Sequence, residues 1–192
     1  EQGIRAASSI AVANANASAR LGSSKIEALT RLQDDADRYN LFTIGFAQEC
    51  QAWGVKPAVY SFATGNPPGY ETIHGLDLQS YWAHYVGGLR ATKLAGGALA
   101  LHEYSAPTMQ RDAGWLCLRY RKVIEALPAD LKDIPILITE TGIDGGVMGA
   151  GSAEAAGWKN YASADEYASQ LAWYDDEIQK DPQVLGATIF TA

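Results

Sequence analysis

Polar side chains stand at the ends of two apolar, strand-like segments of this chain. Glu140 follows the run Ile136–Thr139, and His102 and Tyr104 lie within the run Ala98–Tyr104. A carboxylate that leaves a buried strand is solvated, paired with a cation, or available for proton transfer or nucleophilic attack. A histidine and a tyrosine on the neighbouring strand would supply hydrogen bonds to that carboxylate or to a hydroxylated ligand. These three residues are therefore the first candidates for a functional site.

The direction of Glu140 depends on the alternation of side chains along its strand. Alternation predicts that Glu140 shares a face with Ile138 and Ile136, so it points to the mouth of the site if they line the interior. The same rule predicts that Glu103, next to His102, faces the helices. Two other interpretations stay open here: a salt bridge at the rim for Glu140, and a hydrogen-bonded core histidine for His102.

Further candidates for ligand contacts follow the predicted strands. Asn66 lies in the turn after the first of them, and Trp158 and Tyr161 lie in the long glycine-rich loop 144–162. Aromatic rings stack on the apolar C–H surfaces of sugars, although they are also ordinary core and rim residues. Trp158 and Tyr161 are harder to explain as core than Phe190, because they belong to a loop.

Alternating helices and strands would position these residues. The sequence predicts helices over 24–53, 77–94, 114–127 and 163–180, and strands over 55–62, 98–104, 134–139 and 184–191. Capping boxes begin the first and last helices, and the first is long enough that we expect a break near Asp34–Asp37. Short connections imply parallel strands with right-handed crossovers. In parallel barrels the active site forms where the strands end.

Composition restricts the function classes. The chain has 192 residues, 47% hydrophobic and 19% charged, so it can bury a core. Its net charge of -7 argues against nucleic-acid binding, and no apolar run reaches the roughly 18 residues that a membrane span needs.

Without a glycine-rich nucleotide motif, or a cysteine with a second ligand at metal-site spacing, we expect neither a cofactor nor a metal. Its location, cytoplasmic or secreted after processing, stays open.

Two motifs on successive units carry a resemblance to a known family. They are Leu-His-Glu-Tyr-Ser-Ala-Pro at 101–107 and Ile-Leu-Ile-Thr-Glu-Thr-Gly at 136–142. Their order and spacing resemble strands six and seven of the clan A glycoside hydrolases, which are retaining (β/α)8 enzymes. Segments similar to that family's strand-seven loop, helix seven and strand eight follow, at 157–159, 163–167 and 185–191.

The resemblance covers roughly residues 30–192 and implies an α/β fold of the (β/α)8, or TIM-barrel, type. A complete barrel usually needs ~250 residues, so we expect an incomplete one, with about strands five to eight and helices four to seven in residues 23–192. Residues 1–22 are expected to form an N-terminal arm or irregular segment. The barrel would be completed by self-association or by a missing N-terminal half.

The family's roles transfer by position. Glu140 matches the nucleophile, and His102 and Tyr104 match the polar pair that contacts the nucleophile or the substrate. We expect Asn66, Trp158 and Tyr161 to contribute to binding of a carbohydrate. The second carboxyl group, which protonates the leaving oxygen, follows an asparagine at the end of strand four in the family, and no Asn-Glu pair precedes the first helix here.

Three hypotheses follow. The chain is a retaining glycosidase or part of one, a non-catalytic carbohydrate-binding or structural module with the same fold, or an assembly subunit that binds its neighbours through residues 1–22.

Overall fold

Four parallel strands form the centre of the molecule. A computed structural model describes residues 25–67, 78–149, 151–152 and 156–190. The strands are β1 (Ala58–Phe62), β2 (Ala98–Ser105), β3 (Ile136–Ile143) and β4 (Val184–Ile189), and they form one sheet in the order β1-β2-β3-β4. The predicted α/β class with parallel strands is confirmed. The expected N-terminal arm, residues 1–22, lies outside the described residues.

Helices connect and cover these strands. They are α1 (Lys25–Ala52), α2 (Leu78–Trp82), α3 (Val86–Leu94), α4 (Tyr120–Ala126) and α5 (Ala164–Ile178), with short 3-10 turns at Ala83–Tyr85, Ala129–Leu131, Gly145–Met148 and Trp158–Asn160. Helix α1 is continuous, so the expected break near Asp34–Asp37 is wrong. The capping box of α5 is confirmed, because Ser163 and Glu166 bond each other's backbone N–H groups. None of the helices in the described ranges is long and apolar enough to cross a membrane.

One face of the sheet packs on the helices. The apolar side chains of this helix-covered face are buried, and they include Leu99, Leu101, Ile136 and Ile138. Tyr174 and Ile178 of α5 belong to the same core cluster. The burial of these side chains is the main source of stability, at roughly 1.5–3 kcal/mol for each large one.

A bulge in β3 turns Glu140 to the other face. Leu101 pairs with Ile138, but the next residue, His102, pairs with Glu140, so Thr139 is an extra residue in β3. Such an insertion reverses the alternation of side chains beyond it. The expectation that Glu140 shares a face with Ile136 and Ile138 is therefore wrong. Those isoleucines belong to the helix-covered face, and Glu140 joins His102 on the opposite face, here called the site face.

A tertiary contact replaces part of a predicted helix. Residues 114–119 form a tight loop, and helix α4 begins only at Tyr120. Leu118 has φ of 62°, and the backbone N–H groups of Leu118 and Tyr120 donate to the Glu103 carboxylate at 2.6 and 2.7 Å. The carboxylate holds the loop in a conformation that local helix propensity does not favour. Glu103 lies on the helix-covered face, as alternation predicts.

Candidate functional site

Three of the predicted site residues come together at the carboxyl end of the sheet. The Tyr104 hydroxyl donates to Glu140 Oε2 at 2.8 Å, and His102 Nδ1 lies 3.2 Å from the same oxygen. The β2–β3 register produces this cluster, because His102 pairs with Glu140 while Tyr104 pairs with Gly142. Both contacts use one carboxylate oxygen. Within the described ranges, no hydrogen bond engages Glu140 Oε1.

The cluster is accessible without being fully exposed. The Glu140 side chain is 31% exposed and that of His102 is 20% exposed. Tyr104 is buried, at 7%. A ligand can therefore reach the carboxylate, while the tyrosine that orients it is held by packing.

Burial and the Glu140 charge set the protonation of the two neighbours. Burial raises the pKa of Tyr104 well above its usual value, and the hydrogen bond to Glu140 raises it further. Tyr104 is therefore a hydrogen-bond donor at every physiological pH. Burial lowers the pKa of His102, and the Glu140 charge opposes that change. At neutral pH the imidazole is uncharged, so its contact with Glu140 is an ion pair only in acid.

Phe190 is an aromatic residue beside the cluster that the sequence analysis did not assign to the site. Its ring lies edge-on to Tyr104, with ring centroids 6.3 Å apart, and it is 50% exposed. Its position directly after β4, at the edge of the sheet, is the reason for this exposure. A strand-terminal aromatic at the same end as Glu140 is the sequence signal that could have identified it.

Trp158 and Tyr161 are less exposed than a loop position suggested. The Trp158 ring stacks on Tyr167 of α5, with centroids 4.8 Å apart, and both Trp158 and Tyr161 pack against the core. Tyr161 lies directly on Gly145, because a Cβ there would be 1.8 Å from the Tyr161 hydroxyl. A larger residue at position 145 would therefore displace the Tyr161 ring. The predicted contact of Trp158 and Tyr161 with a ligand stays a prediction.

Asn66 lies in the loop after β1. It is exposed, and its backbone N–H donates to the Ala63 carbonyl at 2.9 Å. Among the residues that the structure describes, no hydrogen bond joins its side chain to Glu140, His102 or Tyr104. Its predicted role in binding also stays a prediction.

Thr64 makes contacts that the sequence analysis missed. Its hydroxyl donates to the His102 carbonyl at 3.0 Å and accepts from the Tyr104 N–H at 2.8 Å. It therefore holds the backbone of both residues that contact Glu140. A threonine two residues beyond a strand is too common a feature to have singled it out.

Glu103 is excluded as the partner carboxyl of Glu140. It is 1% exposed on the helix-covered face, where it accepts from two backbone N–H groups and from the Tyr174 hydroxyl at 2.7 Å. In the described part of the chain, no hydrogen bond links a second carboxyl group to the Glu140 cluster.

The described residues hold no group of three or more histidine, cysteine, aspartate or glutamate side chains placed to bind a metal ion.

Comparisons with protein-family models, with curated proteins and with solved structures found no match.

Proposed function

We propose that this chain is a retaining glycoside hydrolase, or part of one, with Glu140 as the nucleophile. The observation that carries the proposal is the hydrogen bond from Tyr104 to Glu140 Oε2, at 2.8 Å, on the site face of a parallel sheet. A tyrosine donor orients the carboxylate and leaves its other oxygen open to a ligand. The resemblance of the two strand motifs to clan A glycosidases supplies the reaction class.

The strand order supports a barrel-type architecture. Sequential parallel strands, each beside the next, are the arrangement of a singly wound (β/α)8 barrel, whereas nucleotide-binding sheets change direction at a switch point. Among the described strands, β1 and β4 each have one neighbour. We propose that these four strands correspond to strands five to eight of such a barrel, and that a partner segment or a second copy completes it.

The proposed reaction forms and breaks one glycosyl ester. Glu140 Oε1 attacks the anomeric carbon while the bond to the leaving oxygen breaks, and a second carboxyl group protonates that oxygen. The same group then removes a proton from water, which attacks the anomeric carbon and releases Glu140. Tyr104 stays a donor throughout, because burial and Glu140 hold its pKa high.

The proposed acid/base residue comes from outside the described residues. In retaining enzymes it lies ~5–5.5 Å from the nucleophile, which Glu103 cannot satisfy from the helix-covered face. The nucleophile can be tested separately from the acid/base residue, because formation of the glycosyl ester needs no acid when the leaving group is already a good one.

The test uses 2,4-dinitrophenyl 2-deoxy-2-fluoro-β-glycosides of glucose, mannose, galactose and xylose. The dinitrophenolate leaves without protonation, and the fluorine slows hydrolysis of the glycosyl-enzyme. We expect the intact mass of the protein to increase by one fluorosugar for at least one of the four reagents. Peptide mapping should then place the label on Glu140.

The matched control for Glu140→Gln is Glu125→Gln. Glu125 is exposed on α4, so its substitution makes the same chemical change away from the cluster. The Glu125→Gln protein should be labelled like the wild type, and the Glu140→Gln protein should not. A label on a different residue, or equal labelling of both variants, would contradict the assigned nucleophile.

The second candidate is a non-catalytic carbohydrate-binding module with the same fold. It is favoured by the burial of Glu103 on the helix-covered face, which leaves β2 without a carboxyl group on the site face beside Glu140. It predicts no label from any of the four reagents in a folded protein, together with glycan binding that Tyr104→Phe weakens. Binding to a glycan array, measured beside the labelling, separates the two candidates.

A further inference from the structure

The first strand stops pairing with β2 just before the site. Ala58 and Val59 pair with Ala98 and Leu99, but the next pair is Phe62 with Leu101. The intervening residues, Tyr60 and Ser61, have φ of 79° and 41°, so the strand bulges there. The ladder between β1 and β2 therefore ends one residue before His102.

The Thr64 side chain makes the hydrogen bonds that continued pairing of β1 with β2 would have made. In a regular parallel pair, the residue opposite Glu103 would donate its N–H to the carbonyl of residue 102 and accept from the N–H of residue 104. The Thr64 hydroxyl makes both bonds, at 3.0 Å to the His102 carbonyl and 2.8 Å from the Tyr104 N–H. One hydroxyl thus supplies what a backbone amide and carbonyl normally supply.

The other edge of this segment is held in a similar way. The Thr141 hydroxyl donates to the Glu103 carbonyl at 2.8 Å. The β2 backbone between His102 and Tyr104 is therefore fixed on both sides, next to the bulge in β3 that turns Glu140 onto the site face. Of the two threonines, Thr64 bonds the two residues that contact Glu140.

We infer that Thr64 is a positioning residue, whose hydroxyl fixes the β2 backbone so that His102 and Tyr104 both meet the same oxygen of Glu140. The inference rests on the proposed function for its role in a reaction, but the positioning itself is a property of the cluster. A change at Thr64 should weaken the coupling of His102 to Glu140 rather than only the stability of the fold.

The variants separate the hydroxyl from the shape of the side chain. Thr64→Val replaces the hydroxyl with a methyl group of similar size, whereas Thr64→Ser keeps the hydroxyl. Thr92→Val is the matched control, since Thr92 is fully buried on α3 and, among the described residues, its hydroxyl has no hydrogen-bond partner. Thr64→Ala is the second loss variant, for use if the valine is not tolerated beside the bulge.

The first readout is the imidazole titration of His102, followed by NMR. The chain has three histidines, so the His102 signal is assigned by its loss in His102→Gln. Glu140→Gln should lower the His102 pKa, because the carboxylate charge favours the protonated ring. When Thr64→Val is also present, the decrease in the His102 pKa caused by Glu140→Gln should be half as large or less. With Thr64→Ser or Thr92→Val present, that decrease should stay near its wild-type size.

The second readout is hydrogen exchange of the Tyr104 amide. Loss of its acceptor should speed exchange roughly fivefold to tenfold in Thr64→Val, while Thr64→Ser stays close to the wild type. A His102–Glu140 coupling that is unchanged in both Thr64→Val and Thr64→Ala would overturn the inference.

Labelling by the fluorosugar that reacts with the wild type completes the test. If coupling falls and labelling slows in Thr64→Val but not in Thr64→Ser, positioning and function are both supported. If no reagent labels any protein while the coupling still depends on the Thr64 hydroxyl, the glycosidase proposal fails and the positioning role stands. If Thr64→Val is labelled normally and its His102–Glu140 coupling is unchanged, the glycosidase proposal stands and the positioning role fails.

Discussion

Two glutamates on neighbouring strands differ in their exposure and in the number of hydrogen-bond donors that surround them. Glu103 is 1% exposed on the helix-covered face, and both its oxygens are occupied by donors. Glu140 has a side chain that is 31% exposed on the site face, and its hydrogen bond and histidine contact use one oxygen. Glu103 is fully surrounded and supports the fold, whereas Glu140 Oε1 has no hydrogen bond within the described ranges. The comparison shows that two residues of the same type have different surroundings because they lie on different faces of the sheet.

The largest expected difference is in stability. Glu103→Ala leaves the N–H groups of Leu118 and Tyr120 and the Tyr174 hydroxyl without their acceptor, so we expect a loss of about 3–5 kcal/mol. Glu140→Ala removes a half-exposed side chain and should change stability by roughly 0.5 kcal/mol or less. Urea unfolding of both variants measures the difference, and similar losses would break the comparison.

The pH dependence of stability should also come from the helix-covered face. Burial raises the pKa of Glu103 from 4.5 to about 7, although its hydrogen bonds and the nearby Arg119 oppose this change. Between those values the folded state keeps a proton that the unfolded state has lost. The Glu103 contribution to the free energy of unfolding therefore falls as pH rises from 4.5 to 7, by about 3 kcal/mol in total.

That slope is isolated by subtracting the profile of Glu103→Gln from that of the wild type. The lowered pKa of His102 contributes with the opposite sign, since it destabilises the fold as pH falls below its usual range. Subtraction cancels this contribution, because His102 is present in both proteins. A difference that is flat, or that rises between pH 4.5 and 7, would contradict the buried, proton-retaining Glu103.

The tyrosine donors of the two carboxylates should differ in the same direction. Tyr174→Phe removes a fully buried donor to Glu103, which we expect to cost about 1.5–3 kcal/mol. Tyr104→Phe removes a donor to Glu140, where water can replace it, so the expected loss is about 1 kcal/mol or less. Thermal or urea unfolding checks the order, and a larger loss for Tyr104→Phe would contradict it.

Much of the site could be predicted from the sequence. The strands, their parallel order and the meeting of His102, Tyr104 and Glu140 follow from apolar runs and from the positions of polar residues at their ends. The face of Glu103 followed from alternation alone, since no bulge interrupts β2 before it. These features depend on local pattern, which a single sequence carries.

The rest depends on tertiary contacts. The extra residue Thr139 places Glu140 on the face opposite to Ile136 and Ile138, whereas alternation predicted one shared face. No residue type in the sequence marks a bulge there. Tyr60 and Ser61 adopt positive φ without being glycine, because the surrounding packing determines it. Residues 114–119 carry a helical pattern, but the Glu103 carboxylate binds their backbone. For this loop, a distant contact overrides the local preference.

A substitution that is expected to raise stability tests whether burial alone explains the importance of Glu103. Thr92 is as buried as Glu103, yet among the described residues its hydroxyl has no hydrogen-bond partner. Thr92→Val keeps the shape and removes an unsatisfied polar group, so we expect stability to rise by roughly 0.5–1 kcal/mol. Urea unfolding beside Glu103→Ala measures both. If Thr92→Val instead lowers stability, a buried polar group stabilises this fold even without a hydrogen-bond partner. The donors around Glu103 would then not distinguish it from other buried polar groups.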